Sequence, residues 1–103
     1  MISTIVRFKL AQGETHEQAI EEIKRTIPIY QAAAPALIRK AIHLDAEAGV
    51  GRSIYLWENR PAAEAFFARA SEMIKAKTGH APEIEYLDCD IVVDNQSGEV
   101  IFN

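Results

Sequence analysis

A single cysteine, Cys89, stands in 103 residues, so no disulfide forms within the chain, and a reducing, cytoplasmic setting is expected. Thiolate metal sites go with it: His16, His43 and His80 are far apart and Cys89 has no companion thiol, so no metal is expected. The five glycines never fall into G-x-G-x-x-G or G-x-x-x-x-G-K-[ST] spacing, which leaves no phosphate-cradling loop for a nucleotide cofactor. Basic residues are outnumbered, 11 Lys and Arg against 15 Asp and Glu, and they are scattered; a nucleic-acid surface needs a clustered excess. Apolar runs stay far short of a membrane span, and Met1 leads into an alternating segment instead of a charged and then apolar leader, so no membrane partner is expected. What remains is an ordinary globular composition, 49% hydrophobic and 25% charged, of a size that builds one core: a single domain over residues 1–103.

Periodicity supplies the elements. Residues 2–10 alternate, with Ile2, Thr4, Val6, Phe8 and Leu10 on one face, and read as a strand. Thr15 followed by Gln18 is a capping box, opening a helix whose stripe is Ile20, Ile23 and Ile27. Pro28 predicts a break near Arg25, with a further helical stretch from Tyr30 to Ala34, closed by Pro35. Residues 37–45 alternate again, except that Lys40 interrupts the set Ile38, Ile42, Leu44. The link 46–51 carries Gly49 and Gly51 and predicts a hairpin to a strand that runs through Tyr55 to Trp57. Pro61 opens a helix with the stripe Ala63, Phe66, Phe67, Ala70, Met73 and Ile74, ended by Gly79. Residues 84–93 read as one strand, and 99–102 as a short one after the turn residues 94–98.

The order β-α-β-β-α-β with a short C-terminal extra strand is the ferredoxin-like α+β plan, an antiparallel sheet with two helices on one face. Centring the hairpin near Gly49 sets His43 opposite Tyr55 and Leu44 opposite Ile54. That register gathers Ile54 and Leu56 beneath the helices and sends Arg39, His43, Tyr55 and Trp57 to the other face; a slip of one residue reverses the grouping. The uncovered face, with Ile5, Tyr55, Trp57, Ile84 and Tyr86, is too apolar for water, so a homodimer with sheets packed face to face is expected.

The run Ile54-Tyr55-Leu56-Trp57-Glu58-Asn59 followed by Arg60-Pro61-Ala62-Ala63-Glu64-Ala65-Phe66-Phe67 resembles the dimeric α/β-barrel superfamily that includes the antibiotic-biosynthesis monooxygenases. Within it the chain is similar to the small monooxygenase-like group with a kinked first helix ending at a proline, an internal strand lysine and a glycine-bearing hairpin. Pro28, Pro35, Lys40, Gly49 and Gly51 stand at those points. The resemblance implies a dimeric α/β barrel and, as function, a cofactor-independent monooxygenase that oxidises a small aromatic or polyketide-like phenol with O2. The same superfamily also holds non-catalytic binding proteins and isomerases, so a homodimeric small-molecule-binding or stress-related barrel and a lactone or enol isomerase stand as alternatives. Its haem-degrading members use an asparagine on the first strand and a histidine on the second helix. Here the first strand carries Arg7 and Lys9, and no histidine precedes His80, which argues against haem chemistry.

The candidate catalytic residues are His43 as a base near Tyr55, Tyr55 as a phenol that binds a substrate oxygen, and Trp57 as a cavity wall. Each has a plainer role: an exposed strand histidine, an interface tyrosine, a core tryptophan. Arg39, Asn59, Tyr30 and Tyr86 are the candidate substrate-binding residues, with Asp88 beside them as a further wall. Asn59 precedes Arg60-Pro61, the place of a helix N-cap. Arg39 and Lys40 are adjacent on one strand, so only one of them faces a cavity.

Overall fold

The computed structural model describes all residues from Met1 to Asn103. Four strands form one antiparallel sheet: β1 (Ile2–Lys9), β2 (Leu37–Asp45), β3 (Val50–Trp57) and β4 (Glu83–Asp88), in the order β2-β3-β1-β4. Helices α1 (His16–Lys24), α2 (Ile27–Ala32) and α3 (Arg60–Thr78) lie along one face, and the arrangement is ferredoxin-like α+β. Strands β5 (Ile91–Asp94) and β6 (Glu99–Phe102) pair only with each other.

Local chemistry accounts for the boundaries. The Thr15 side chain accepts from the Gln18 amide at 3.2 Å while the Gln18 side chain accepts from the Thr15 amide at 2.9 Å, closing the capping box of α1. The helical run breaks at Arg25-Thr26 and resumes with Pro28 in the first turn of α2, where its missing N–H costs nothing. Asn59 caps α3 by accepting from the Ala62 amide at 2.9 Å, and Gly79 ends that helix in the left-handed conformation, φ 78°.

Three expectations are corrected. The hairpin turns through Ala46 to Gly49, with Asp45 opposite Val50, so His43 faces Arg52 and Lys40 faces Tyr55. The anticipated register is off by three residues, an odd number, and each β2 side chain therefore sits on the other face relative to β3. The turn itself explains this: the Ala48 amide donates to the Asp45 carboxylate at 3.1 Å, and Gly49 takes the left-handed conformation at the last position of the loop. Second, Tyr55 and Trp57 lie under the helices, buried beside Phe66 and Phe67, and Ile84 and Tyr86 join them there. Ile54, placed in the core by the anticipated register, is exposed on the open face. Large rings fill the gap between sheet and helices better than aliphatic chains, and α3 offers Ala63 and Ala70 as the small residues that admit them. Third, the single strand expected over 84–93 breaks at Cys89-Asp90. β4 continues the sheet, while β5 leaves it to form the hairpin with β6.

A bulge in β2 completes the layout. Leu37 pairs with Trp57 and Arg39 with Leu56, so the extra residue Ile38 is pushed outward. Both Leu37 and Lys40 then point at the helices despite their odd spacing.

Candidate functional site

Between the sheet and the α1–α2 segment lies a cavity of about 110 Å³. Its floor is supplied by β1, β2 and β3 through Val6, Phe8, Lys40, Ser53 and Tyr55, and its roof by Ala19, Ile23, Thr26 and Tyr30. The exposed Lys9 and Lys77 mark its mouth, where Lys77 Nζ meets Glu22 Oε2 at 2.6 Å and ties α3 to α1. The interior is mainly apolar, with hydroxyls from Ser53, Thr26 and the two tyrosines.

Lys40 is the half-buried cation of this cavity, whose lining also includes the half-buried Glu14 and Glu22. Its Nζ lies 3.1 Å from the centroid of the Tyr30 ring and 4.5 Å from that of Tyr55, and no carboxylate forms an ion pair with it. The ring faces offset part of the lost hydration of an ammonium. Burial still dominates and lowers the amine to about 7, so that near neutral pH a large share is the free base. Tyr55 moves the opposite way: burial first, then the neighbouring Tyr30, raises its phenol and keeps it a neutral hydrogen-bonding group. A weak base and a neutral phenol in an apolar pocket can remove a proton from a bound acid and hold the resulting anion.

Of the residues anticipated from sequence, Tyr30 and Tyr55 line this cavity. Trp57 does not: its indole stacks on Tyr55 with ring centroids 5.7 Å apart, packs on Phe66 and Phe67, and donates from Nε1 to Thr4 Oγ1 at 3.0 Å. Fully buried and satisfied, it is a core residue that fixes the ring of Tyr55. His43 and Arg39 are exposed on the open face of the sheet, on the side away from Tyr55, as the register requires. Asn59 is the cap of α3. Tyr86 packs on Phe67 and lies under the Arg60 guanidinium, 4.6 Å from its ring, outside the cavity. Burial raises its phenol. Asp88 ends β4 at the edge, exposed. Sequence reasoning left Lys40 and Arg39 as rivals. The signal that decides for Lys40 was present, a lysine interrupting an aliphatic alternation, and the structure shows that this alternation faces the helices.

No protein-family model matches the chain, and no curated protein matches it in sequence. Solved structures do match in shape. A candidate antibiotic biosynthesis monooxygenase from Bordetella bronchiseptica superposes with a TM-score of 0.63 at 17% identity, over 85% of this chain and 95% of that one. One from Deinococcus radiodurans gives 0.62 at 13% identity, over 91% and 97%. SnoaB, a cofactor-independent oxygenase from Streptomyces nogalater, gives 0.52 at 13% identity, over 82% and 86%. At these identities the likeness speaks for architecture: the chain has the ferredoxin-like α+β fold of the antibiotic biosynthesis monooxygenases.

Proposed function

We propose that the protein is a cofactor-independent monooxygenase that oxidises a small phenolic or anthrone-type compound with O2, working as a homodimer, with Lys40 as the base. The carrying observation is the Lys40 amine, without a carboxylate partner and lowered to about 7, held between Tyr30 and Tyr55 in an apolar cavity. The fold shared with SnoaB supports the same reading. Lys40 takes a proton from the substrate, leaving an electron-rich anion beside the new ammonium. That anion gives an electron to O2, and the resulting radical pair joins through a carbon–oxygen bond to form a peroxide. Loss of water then leaves a carbonyl. A methylene carbon and O2 become a carbonyl and water, so the substrate supplies all the electrons and no external reductant enters the balance.

At about 110 Å³ the cavity holds one small ring. A larger substrate extends through the mouth or moves the α1–α2 roof, which carries a single buried residue, Ala19. That small volume also favours a second reading, a binding module without turnover. Oxygen uptake with a panel of anthrones and hydroquinones in metal-free buffer tests both. Uptake is expected in the wild type, reduced by roughly a hundredfold or more in Lys40→Met and unchanged in His43→Ala. Loss of uptake in His43→Ala with retention in Lys40→Met would falsify the assignment of the base, and binding without uptake across the panel would leave the module reading.

A further inference from the structure

The position of Lys40 suits a second kind of chemistry, which shares the oxygenase cavity but does not depend on oxygen. The lone pair with which an amine takes a proton is also the one with which it attacks a carbonyl, provided that it is open to the bound molecule. Lys40 Nζ faces the cavity space, over the ring of Tyr30, and has no hydrogen-bond or ion-pair partner to turn it aside. Its backbone is held by strand pairing with Tyr55 in the β2–β3 ladder, and the two tyrosine rings flank its nitrogen. The surrounding surface, Val6, Phe8 and Ile23 with the tyrosine faces, is largely apolar and favours small apolar molecules.

We propose that Lys40 is a nucleophile that captures small apolar aldehydes or ketones as an imine. In that step the nitrogen attacks the carbonyl carbon, a carbon–nitrogen bond forms, and the carbonyl oxygen leaves as water with the two hydrogens of the amine. Nothing else is consumed. The apolar walls favour the apolar imine over the polar carbinolamine, and the neutral amine is the form that such carbonyl chemistry uses. The oxygenase reading puts a carbonyl into the same cavity as its product, so the two activities meet at one nitrogen.

Reductive trapping decides the matter without any oxidisable substrate. The whole protein is treated under nitrogen at pH 7 with limiting propanal and sodium cyanoborohydride, and each propylated lysine is quantified by peptide mass mapping, which also separates any product at the amino terminus. Lys9, Lys24, Lys75 and Lys77, all exposed, serve as references. With its amine lowered to about 7, Lys40 holds a free-base fraction at pH 7 roughly a thousandfold above that of an exposed lysine. Lower basicity takes back part of that gain, so labelling of Lys40 is expected to run roughly tenfold or more ahead of the references. Labelling of Lys40 no faster than that of the exposed lysines overturns the proposal, whether or not oxygen uptake is found. In Lys40→Met, shown to be folded by its near-ultraviolet tryptophan signal, the fast labelling should vanish while that of the four references persists. Fast trapping at Lys40 in a wild type that takes up no oxygen upholds the nucleophile and sinks the oxygenase reading, and uptake without fast trapping does the reverse.

Discussion

At the residue scale the protein turns on one charge in an unfavourable place. Lys40 is buried enough to lower its amine from 10.5 to about 7. The native state therefore binds fewer protons than the unfolded chain between those values. Its contribution to stability is complete above about pH 10.5, falls as the pH drops through that window, and is level below about 7. Lys40→Met, which keeps most of the unbranched stem and removes the charge, should be more stable than the wild type at pH 7 by about 1–3 kcal/mol. The difference should shrink toward pH 10.5. Urea unfolding of both proteins at pH 7 and pH 10 measures this, and a variant less stable at pH 7 would show that the cation is better accommodated than its burial implies. Where Lys40 acts as the base, turnover should rise through an apparent value near 7, the limb that the variant loses. A second residue-scale case is Thr4, whose hydroxyl accepts from Trp57 Nε1 at 3.0 Å with both groups buried. Thr4→Val leaves that donor unpaired and should cost about 1–3 kcal/mol, read as a lower midpoint of chemical denaturation.

At the element scale the sheet is fitted to the cavity by the β1–β3 pair. Gly51 lies opposite Phe8, and a Cβ there would sit 2.2 Å from the tip of the Phe8 ring. The ring lies directly over the glycine backbone and forms part of the cavity floor. Gly51→Ala must displace the Phe8 ring from its place in the cavity lining, and a loss of about 1–3 kcal/mol is expected. Ligand affinity in the cavity should fall with it, whereas Gly98→Ala, in the β5–β6 turn and outside the cavity lining, should affect stability alone because its cost is the left-handed φ of 75°. Calorimetry paired with a binding titration separates the two variants; equal loss of affinity in both would mean that Phe8 does not shape the site.

At the scale of the whole molecule the open sheet face and the β5–β6 hairpin remain to be covered. A two-stranded hairpin is marginal alone, and this one is held to the sheet at its base, where the Cys89 amide donates to the Met1 carbonyl at 3.1 Å and Asn103 bonds to Met1. Ile91, Val93, Val100 and Phe102 are all more than half exposed. With Ile54 and Leu87 on the sheet they form an apolar surface beyond what a monomer usually shows. The radius of gyration, 14.4 Å, exceeds the roughly 13 Å expected of a compact chain of this length. A homodimer is therefore predicted. Sedimentation equilibrium at micromolar concentration should give twice the chain mass, and Val93→Asp combined with Phe102→Asp should give the monomer with the α3 helix and the cavity intact. A wild-type protein that sediments as one chain would overturn the expectation.

The sequence by itself determined the elements and their order, apart from the break at Cys89-Asp90 that parts β4 from β5, because caps, prolines and turn glycines are local signals: Thr15 with Gln18, Pro28, Asn59 and Gly79 each act within a few residues. It also carried the ferredoxin-like plan, which follows from that order. Tertiary structure alone decided which face of the sheet the helices cover. A pleat presents two faces, and the hydrophobic pattern of β3, aliphatic on one and aromatic on the other, suits either. The choice came from packing volume, since Phe66 and Phe67 on α3 leave room for rings and not for a flat aliphatic layer. With that face fixed, the bulge at Ile38 and the turn at Gly49 turned Lys40 inward, to the cavity, and His43 and Arg39 outward.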